Sequence, residues 1–329
     1  MTTALTRDRL KELLGRAQGK RVAVIGDAML DVYLTGDVDR ISPEAPVPVV
    51  RVRERKNALG GAANVAQNVV AIGAQCELVS AIGADSAGAT LRMLLSAMGV
   101  RPGSLVEVSR CTTQKTRIVA RSQQLVRIDE EDDSDLDASD VDSLLAAVRA
   151  AVARADAVVL EDYNKGVLHK SVIREAIDAA RARGVPVIVD PKYRNFFEFR
   201  GATVFKPNRR ELESALGAAV DLTRPEALPA VLARLGIDNL LVTLGEHGMA
   251  LVGADGAVNS LPTVARHVYD VVGAGDTVTA YLASLTAAGA SVGEASTVAN
   301  IAAGIEVGKL GAATVTGDEL LEYFDLHSL

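Results

Sequence analysis

Apolar residues along this chain fall into short aliphatic runs that end at glycine or aspartate. Between them lie stretches in which small apolar residues recur at helical spacing. Arg21–Gly26, R-V-A-V-I-G, is the first such run and reads as a buried strand. Gly60-Gly61 then opens A-A-N-V-A-Q-N-V-V-A-I-G, a small-residue helix stopped by Gly73. A strand at 76–82 and a helix at 87–98 follow. Further on come a strand at 157–161, a helix at 171–183 and strands at 186–190 and 203–206. Next are a helix from Arg209, a helix at 224–235, a strand at 239–243 and a hairpin about 253–256. Two long helices at 275–288 and 292–308 follow these. Strands alternating with helices predict an α/β fold whose central, mostly parallel sheet is covered on both faces.

Two segments break this texture. Residues 33–55 carry three prolines within six residues (Pro43, Pro46 and Pro48), which forbid a helix or a central strand. The neighbouring V-P-V-V-R-V-R nevertheless alternates as an edge strand does. Residues 111–129 hold K-T-R-I-V-A-R and Q-L-V-R-I-D, again alternating charged and apolar. Half-wet strands of this kind form a sheet with one solvated face. The two inserts therefore predict a small β-sheet lid on one domain spanning residues 1–329. The acidic run at 129–137 reads as a solvated loop leading into a helix at 141–153.

Composition narrows the class. With no Trp, 5 Phe and 6 Tyr among 329 residues, the core must be aliphatic, as buried parallel strands are. A net charge of −7 leaves no basic footprint and argues against nucleic acid as a partner. No apolar run reaches the roughly 18 residues of a membrane span, and residues 1–21 lack a signal peptide's apolar core. Cys76 and Cys111 stand alone, which suits a reduced cytoplasmic protein. Four scattered His form no H-x-x-x-H pair, so no zinc site is expected.

The strongest chemical signal is Asp270-Val271-Val272-Gly273-Ala274-Gly275-Asp276, ahead of a small-residue helix. Glycines at a helix start let several backbone N–H groups converge on a point where the helix dipole also favours an anion. Asp276, in that first turn, stands beside the anion. A carboxylate next to a phosphate-sized hole supplies a base for an attacking hydroxyl and donors for a transferred phosphoryl group. The plainer alternative is a glycine turn with Asp276 as a cap.

Gly26-Asp27, with Asp31 four residues on, ends the first strand, where open α/β sheets bind ligands. Gly60, Gly61 and Asn64 open a helix and bring backbone and an amide to a polyol. Two carboxylates and an amide suit sugar hydroxyls, which both donate and accept. Asp27 and Asn64 would serve equally as turn or cap residues. Asn208, Arg209, Arg210 and Glu211 begin a helix after Lys206-Pro207. Asn208 and Glu211 are either a capping box or neighbours of the nucleotide phosphates and Mg²⁺, reached through water. Thr243, Gly245 and Gly248 end another strand in glycines that suit a phosphate or ribose. Gly304-Ile-Glu-Val-Gly308-Lys309 mimics a Walker loop, but it has three intervening residues rather than four and no Ser/Thr after the Lys. No G-x-G-x-x-G is present, which counts against a dinucleotide dehydrogenase.

Over essentially its whole length the chain resembles the PfkB/ribokinase family of carbohydrate kinases. Gly60-Gly61-Ala62-Ala63-Asn64 is similar to the family's N-terminal signature, and 270–276 to its C-terminal D-T-x-G-A-G-D, with Val271 in place of Thr. Gly26-Asp27-x-Met29-Leu30-Asp31, the 40–49 segment, Ser122-Gln123-Gln124-Leu125-x-Arg127 and Asp190-Pro191-Lys192 are similar to one branch of the family. That branch phosphorylates D-glycero-β-D-manno-heptose 7-phosphate. The resemblance implies a ribokinase-like fold and phosphorylation of the anomeric hydroxyl to the 1,7-bisphosphate, on the route to ADP-heptose for lipopolysaccharide. It implies Asp276 as base, the amides of Gly273, Ala274 and Gly275 as anion hole, and residues 208–211 at the ATP site. It also implies ATP and Mg²⁺ and a homodimer through the lid strands, and leaves a monovalent cation open. Some relatives are fused to an adenylyltransferase; with no H-x-G-H here, that activity is expected on another protein.

A substrate already bearing a phosphate needs about two cations, Arg binding it bidentately. Arg117 and Arg127, with Lys115 and Arg121, occupy odd positions in the second insert, and Lys192 ends a core strand. Solvated strand faces are the plainer reading of these cations. A kinase of ribose or a fructose phosphate, and a non-catalytic sugar-binding relative, are the alternatives. The presence of Asp276 counts against the last.

Overall fold

The chain begins with a helix whose apolar stripe is hidden among charges. α1 (Arg7–Ala17) buries Leu10, Leu13, Leu14 and Ala17, and the Thr6 side chain caps it by accepting from the Arg9 N–H. β1 (Arg21–Gly26) comes next. Val22 and Val24 enter one hydrophobic core while Ala23 and Ile25 enter the other, so both faces of the strand are covered. The computed structural model describes residues 5–327 apart from 102–103, 122, 225–227, 255, 266–267 and 310. Ser122, Leu310 and residues 225–227 lie outside the described residues; the helix expected from Arg224 is described from Leu228, and Arg224 itself is not helical.

Asp27 alone separates β1 from β2 (Ala28–Ile41), which returns as β3 (Pro48–Gly61). Pro43 and Pro46 sit in the connection and Pro48 opens β3, an edge strand on which a missing N–H costs no ladder bond. α2 (Ala62–Ala71), β4 (Gln75–Gly83) and α3 (Ser86–Ala97) follow, then β5 (Leu105–Val108), which the sequence pattern did not announce. The second insert is a hairpin of β6 (Gln114–Ala120) and β7 (Gln123–Glu130), with Arg121 at φ +49° in its turn. The expected inserts at 33–55 and 111–129 are thus strands covering 28–61 and 114–130. β2 starts earlier because its first residues, Ala28–Leu30, pack into the core.

The remaining elements alternate as expected. They are α4 (Ala138–Val152), β8 (Ala157–Glu161), α5 (Lys170–Ala182), β9 (Val187–Asp190), β10 (Val204–Phe205), α6 (Arg209–Leu216), α7 (Leu228–Leu235) and β11 (Asn239–Thr243). A hairpin of β12 (Met249–Val252) and β13 (Val258–Leu261) precedes α8 (Ala274–Ala287) and α9 (Val292–Glu306). Gly304 lies inside α9, in keeping with setting aside the Walker-like segment. α10 (Gly317–His327) packs against α1, where Arg7 and Asp325 form an ion pair.

The larger sheet runs β13-β12-β11-β10-β9-β8-β1-β4-β5. Every pairing from β11 to β5 is parallel, so the C-terminal ends of these strands share one edge. The smaller sheet runs β3-β2-β6-β7, with β2 and β6 parallel and the two hairpins antiparallel. Its edge strands β3 and β7 expose Val52, Leu125, Val126 and Ile128. Among the described residues no helix is long and apolar enough to cross a membrane.

Candidate functional site

Three adjacent strands end in ionisable residues. β8 closes on Glu161, β9 on Asp190, and Lys206 follows β10. α8 lies across β8 and β9 and sets Asp276, in its first turn, above these ends. Asp276 is held on both sides: Asn64 Nδ2 donates to its Oδ2 at 2.7 Å and the Tyr163 hydroxyl to its Oδ1 at 3.0 Å. Asn64 is fixed in turn by Asn68, whose Nδ2 donates to the Asn64 carbonyl at 3.0 Å. Burial pushes the Asp276 carboxyl up to about 6, a change that nearby Asp190 reinforces and Asn64, Tyr163 and Lys206 oppose. It is therefore a positioned acceptor whose proton affinity suits exchange near neutral pH.

The turn before Asp276 has the anticipated form. Gly273 takes φ +101° and no side chain caps α8; the Ala274 amide reaches back to the Val271 carbonyl only at a long 3.5 Å, so the helix start and its dipole can still receive an anion. Beneath the turn, Lys206 Nζ donates to Asp190 Oδ2 at 2.7 Å, both side chains almost fully buried. A Cβ on Gly275 would lie 3.6 Å from Lys206 Nζ and 3.7 Å from Asp190 Oδ2, so this ion pair floors the turn. Burial next to Asp190 and Asp276 holds the Glu161 carboxyl well above its ordinary range.

The expected sugar residues divide. Asp31 is buried on β2, its Oδ1 2.6 Å from Arg117 Nη1 of β6, while the Arg117 guanidinium also covers the Tyr33 ring. Burial works to lower the Arg117 pKa, but Asp31 outweighs it and holds the group firmly charged. An unbroken strand would put the four odd-numbered cations on one face; a turn at Arg121 divides them instead, and it is the hairpin register that makes Arg117 and Arg127 cross-strand partners on a shared face. Arg127, however, is half exposed and paired with Asp129 at 2.9 Å. Gly60 closes on Asp31: a Cβ there would reach within 2.8 Å of Oδ2. Gly61 takes φ +56° and would overlap the Asp27 carbonyl if it carried a Cβ, so it serves the close approach of β3 to the β1–β2 junction.

Three of the expected ligands are engaged by protein partners. Asp27 has both carboxylate oxygens occupied: its Oδ2 accepts from the Tyr163 and Lys165 amides at 2.8 and 3.0 Å and its Oδ1 from the Val167 amide at 3.0 Å. It is the turn residue that orders the loop after β8, thereby placing Tyr163. Lys192 does not join the small-sheet cations; its Nζ sits 2.6 Å from Glu211 Oε1 and over the Tyr163 ring. Asn64 directs one N–H of its amide at Asp276.

Asn208 and Glu211 form a complete capping box, Glu211 N–H to Asn208 Oδ1 at 2.8 Å and Asn208 N–H to Glu211 Oε2 at 2.9 Å. Arg209 and Arg210 are exposed in the first turn of α6. A bridge between Asn208 and Thr243 joins this helix start to the loop after β11, where Gly245 takes φ +60°. Gly248 is required for packing, since a Cβ would overlap the Leu261 carbonyl. Tyr163, Glu161, Asp190 and Lys206 were not foreseen as a constellation. The signal was available, because each ends or follows a strand at the edge where parallel sheets bind ligands.

The pattern of the pfkB family carbohydrate kinases matches residues 20–318. The chain is 47% identical over 322 residues to the bifunctional protein HldE of Rhodospirillum rubrum, covering 95% of this chain and 64% of that protein. To the HldE of Caulobacter vibrioides it is 48% identical over 317 residues, covering 95% and 65%. The chain thus spans just under two thirds of the length of these curated relatives. Phosphofructokinase-2 from Escherichia coli, in its tetrameric inhibited form, superposes with a TM-score of 0.77 at 19% identity, covering 95% of this chain and 100% of that one. Arabidopsis thaliana ribokinase complexed with ribose and ATP gives 0.71 at 22% identity, covering 93% and 98%. At such identities the likeness concerns the fold, which is ribokinase-like.

Proposed function

The chain belongs to the pfkB family of carbohydrate kinases, and from that premise we propose that it phosphorylates the anomeric hydroxyl of D-glycero-β-D-manno-heptose 7-phosphate. Family membership makes it a phosphotransferase with an alcohol acceptor and ATP as co-substrate. The heptose reading draws on the HldE relatives and on the cationic face of the small sheet. One observation carries the chemistry: a buried, doubly hydrogen-bonded Asp276 stands in the first turn of an uncapped helix.

In this reading Asp31 and the backbone at Gly60 and Gly61 hold the sugar, with O1 toward Asp276. Asp276 takes the O1 proton as O1 bonds to the γ-phosphorus, and the bond from that phosphorus to the β-phosphate oxygen breaks, releasing ADP. The amides of Gly273, Ala274 and Gly275 meet the charge on the transferred group, with Lys206 buried beneath them. Asn64 and Tyr163 are positioning residues that keep the carboxylate aimed. The loops at 208–211 and 243–248 border the nucleotide, and Lys192 belongs to that side. Mg²⁺ fits there only through water, since Glu211 has one oxygen on the Asn208 amide and the other on Lys192. When bound with ATP, it neutralises the phosphate oxygens.

Incubation with ATP, Mg²⁺ and a panel of acceptors tests this. Heptose 7-phosphate is expected to release ADP well above fructose 6-phosphate, ribose and unphosphorylated heptose; a preference for any of these would sink the heptose assignment. The exposed apolar residues of β3 and β7, on sheet edges that need covering, support pairing of two small sheets across a homodimer. Light scattering at micromolar protein should give twice the chain mass. A fully active monomer would exclude it.

A further inference from the structure

α9 ends on Glu306, a fully buried side chain whose two carboxylate oxygens have no hydrogen-bond partner among the described residues. It stands directly behind the turn that opens α8. A Cβ on Gly273 would lie 3.2 Å from Glu306 Oε1, 3.1 Å from Asn64 Nδ2 and 3.4 Å from Ala312 Cα. The reaction steps above give Glu306 no part. Its surroundings disfavour a negative charge. Burial is the largest influence, and Asp270 before the turn and Asp276 on α8 add repulsion. Asn64 of α2, which flanks the same glycine, carries no charge. The negative pole of α9 falls at its own last residue. Lys309 is the cation that opposes these, but its Nζ is spent on Glu319 and on the Thr314 carbonyl at 2.8 Å. The Ala313 amide also favours the charged form without closing a hydrogen bond. The carboxyl is pushed up to about 8, so it is neutral at neutral pH.

We propose that Glu306 is a positioning residue of the anion turn and works as a neutral acid. Protonated, it fills the space behind Gly273 and leaves the amides of Gly273, Ala274 and Gly275 free to meet a γ-phosphate. Ionised, it sets a negative charge behind those amides and competes with the phosphate for their partial positive charge. Binding of MgATP at alkaline pH therefore carries one proton from solvent to a Glu306 oxygen, with no bond of ATP changed. By the same linkage, affinity falls as pH rises through the range in which Glu306 ionises in the free protein. Asp276 has the opposite requirement: it accepts a proton only once its carboxyl, at about 6, has ionised. Two carboxyls on either side of one glycine turn thus divide the work, one needed as a base and one as an acid. The inference rests on the proposed role of the 273–275 amides and not on which sugar is phosphorylated.

The test is calorimetric titration of the full chain with MgATP, without sugar, at about pH 7 and about pH 9. Wild type should bind about tenfold more weakly at the higher pH, the ratio set by a carboxyl that titrates near 8. At about pH 8 it should take up protons on binding, seen as a heat that depends on the buffer's ionisation enthalpy. Glu306→Gln is a neutral isostere of the acid. It should stay within about twofold of wild type at about pH 7, lose the alkaline weakening and take up no proton. A merely structural Glu306 would move neither the pH dependence nor the proton count. Thermal melts check that the variant folds; should it not, Glu306→Met, also uncharged, takes its place. Constant wild-type affinity across the two pH values, or equal alkaline weakening in wild type and variant, would overturn the inference. So would a folded Glu306→Gln protein that binds MgATP poorly at about pH 7, because the turn would then need the carboxylate's charge. Absence of MgATP binding by both proteins at either pH would overturn the turn as a phosphate site, and with it both this inference and the proposed function.

Discussion

Replacing Asp276 by Asn is expected to lower kcat by at least about 10²-fold, the lower end of what a lost general base costs, while ATP and sugar still bind. The substitution is close to isosteric. The new carboxamide oxygen can accept from Asn64 Nδ2, and its NH₂ can face the Tyr163 oxygen, which accepts as well as donates. The helix start keeps its open amides, because those belong to the backbone of α8. Removing one carboxylate from beside Asp190 also relieves repulsion, so the melting temperature should hold or rise. What disappears is a place for the O1 proton. Steady-state kinetics with a parallel melt separate these effects, and near-wild-type turnover in a folded Asp276→Asn protein would remove Asp276 from the base role.

The second large effect belongs to the small sheet. Arg127→Ala should reduce kcat/KM for heptose 7-phosphate by about 10- to 150-fold, the equivalent of about 1.5–3 kcal/mol for a lost charge-assisted contact. Arg127 is the cleaner probe, since its resting partner Asp129 is a surface ion pair of small worth. Arg117→Ala should cost at least as much, but part of that loss comes from leaving buried Asp31 without its 2.6 Å partner. The KM for ATP should barely move in either variant. Lys192→Ala should behave oppositely and act on the nucleotide side, where Lys192 meets Glu211. If Arg127→Ala weakens ATP use and spares the sugar phosphate, the cationic face serves the nucleotide and the substrate's phosphate has another anchor.

Local patterns made much of this legible from residues alone. The aliphatic runs became β1, β8, β9 and β11 because strands covered on both faces need no polar positions. The turn at 273–275 was readable because glycine spacing at a helix start depends only on neighbours in sequence. Pro48 marked an edge for the same reason. α1 stayed hidden because its stripe of Leu10, Leu13, Leu14 and Ala17 is interrupted by charges, and its burial depends on α8 and α10, which lie far along the chain. Asp27 and Asn64 could be read as turn residues or sugar ligands, and only the fold distinguishes these. Three amides from the 163–167 loop take Asp27, and Asp276, more than two hundred positions away, takes Asn64. The Glu161, Asp190 and Lys206 floor needed the sheet order, since the adjacency of β8, β9 and β10 is a tertiary fact.

The measurement that tests the central claim most directly is phosphorus-31 NMR of heptose 7-phosphate incubated with ATP, Mg²⁺ and the protein. The account predicts that the ATP resonances give way to those of ADP, while a second sugar phosphate signal appears, coupled to the anomeric proton and equal in intensity to the retained 7-phosphate. Inorganic phosphate without a new sugar ester, a new phosphate on any other carbon, or no consumption of ATP would contradict it.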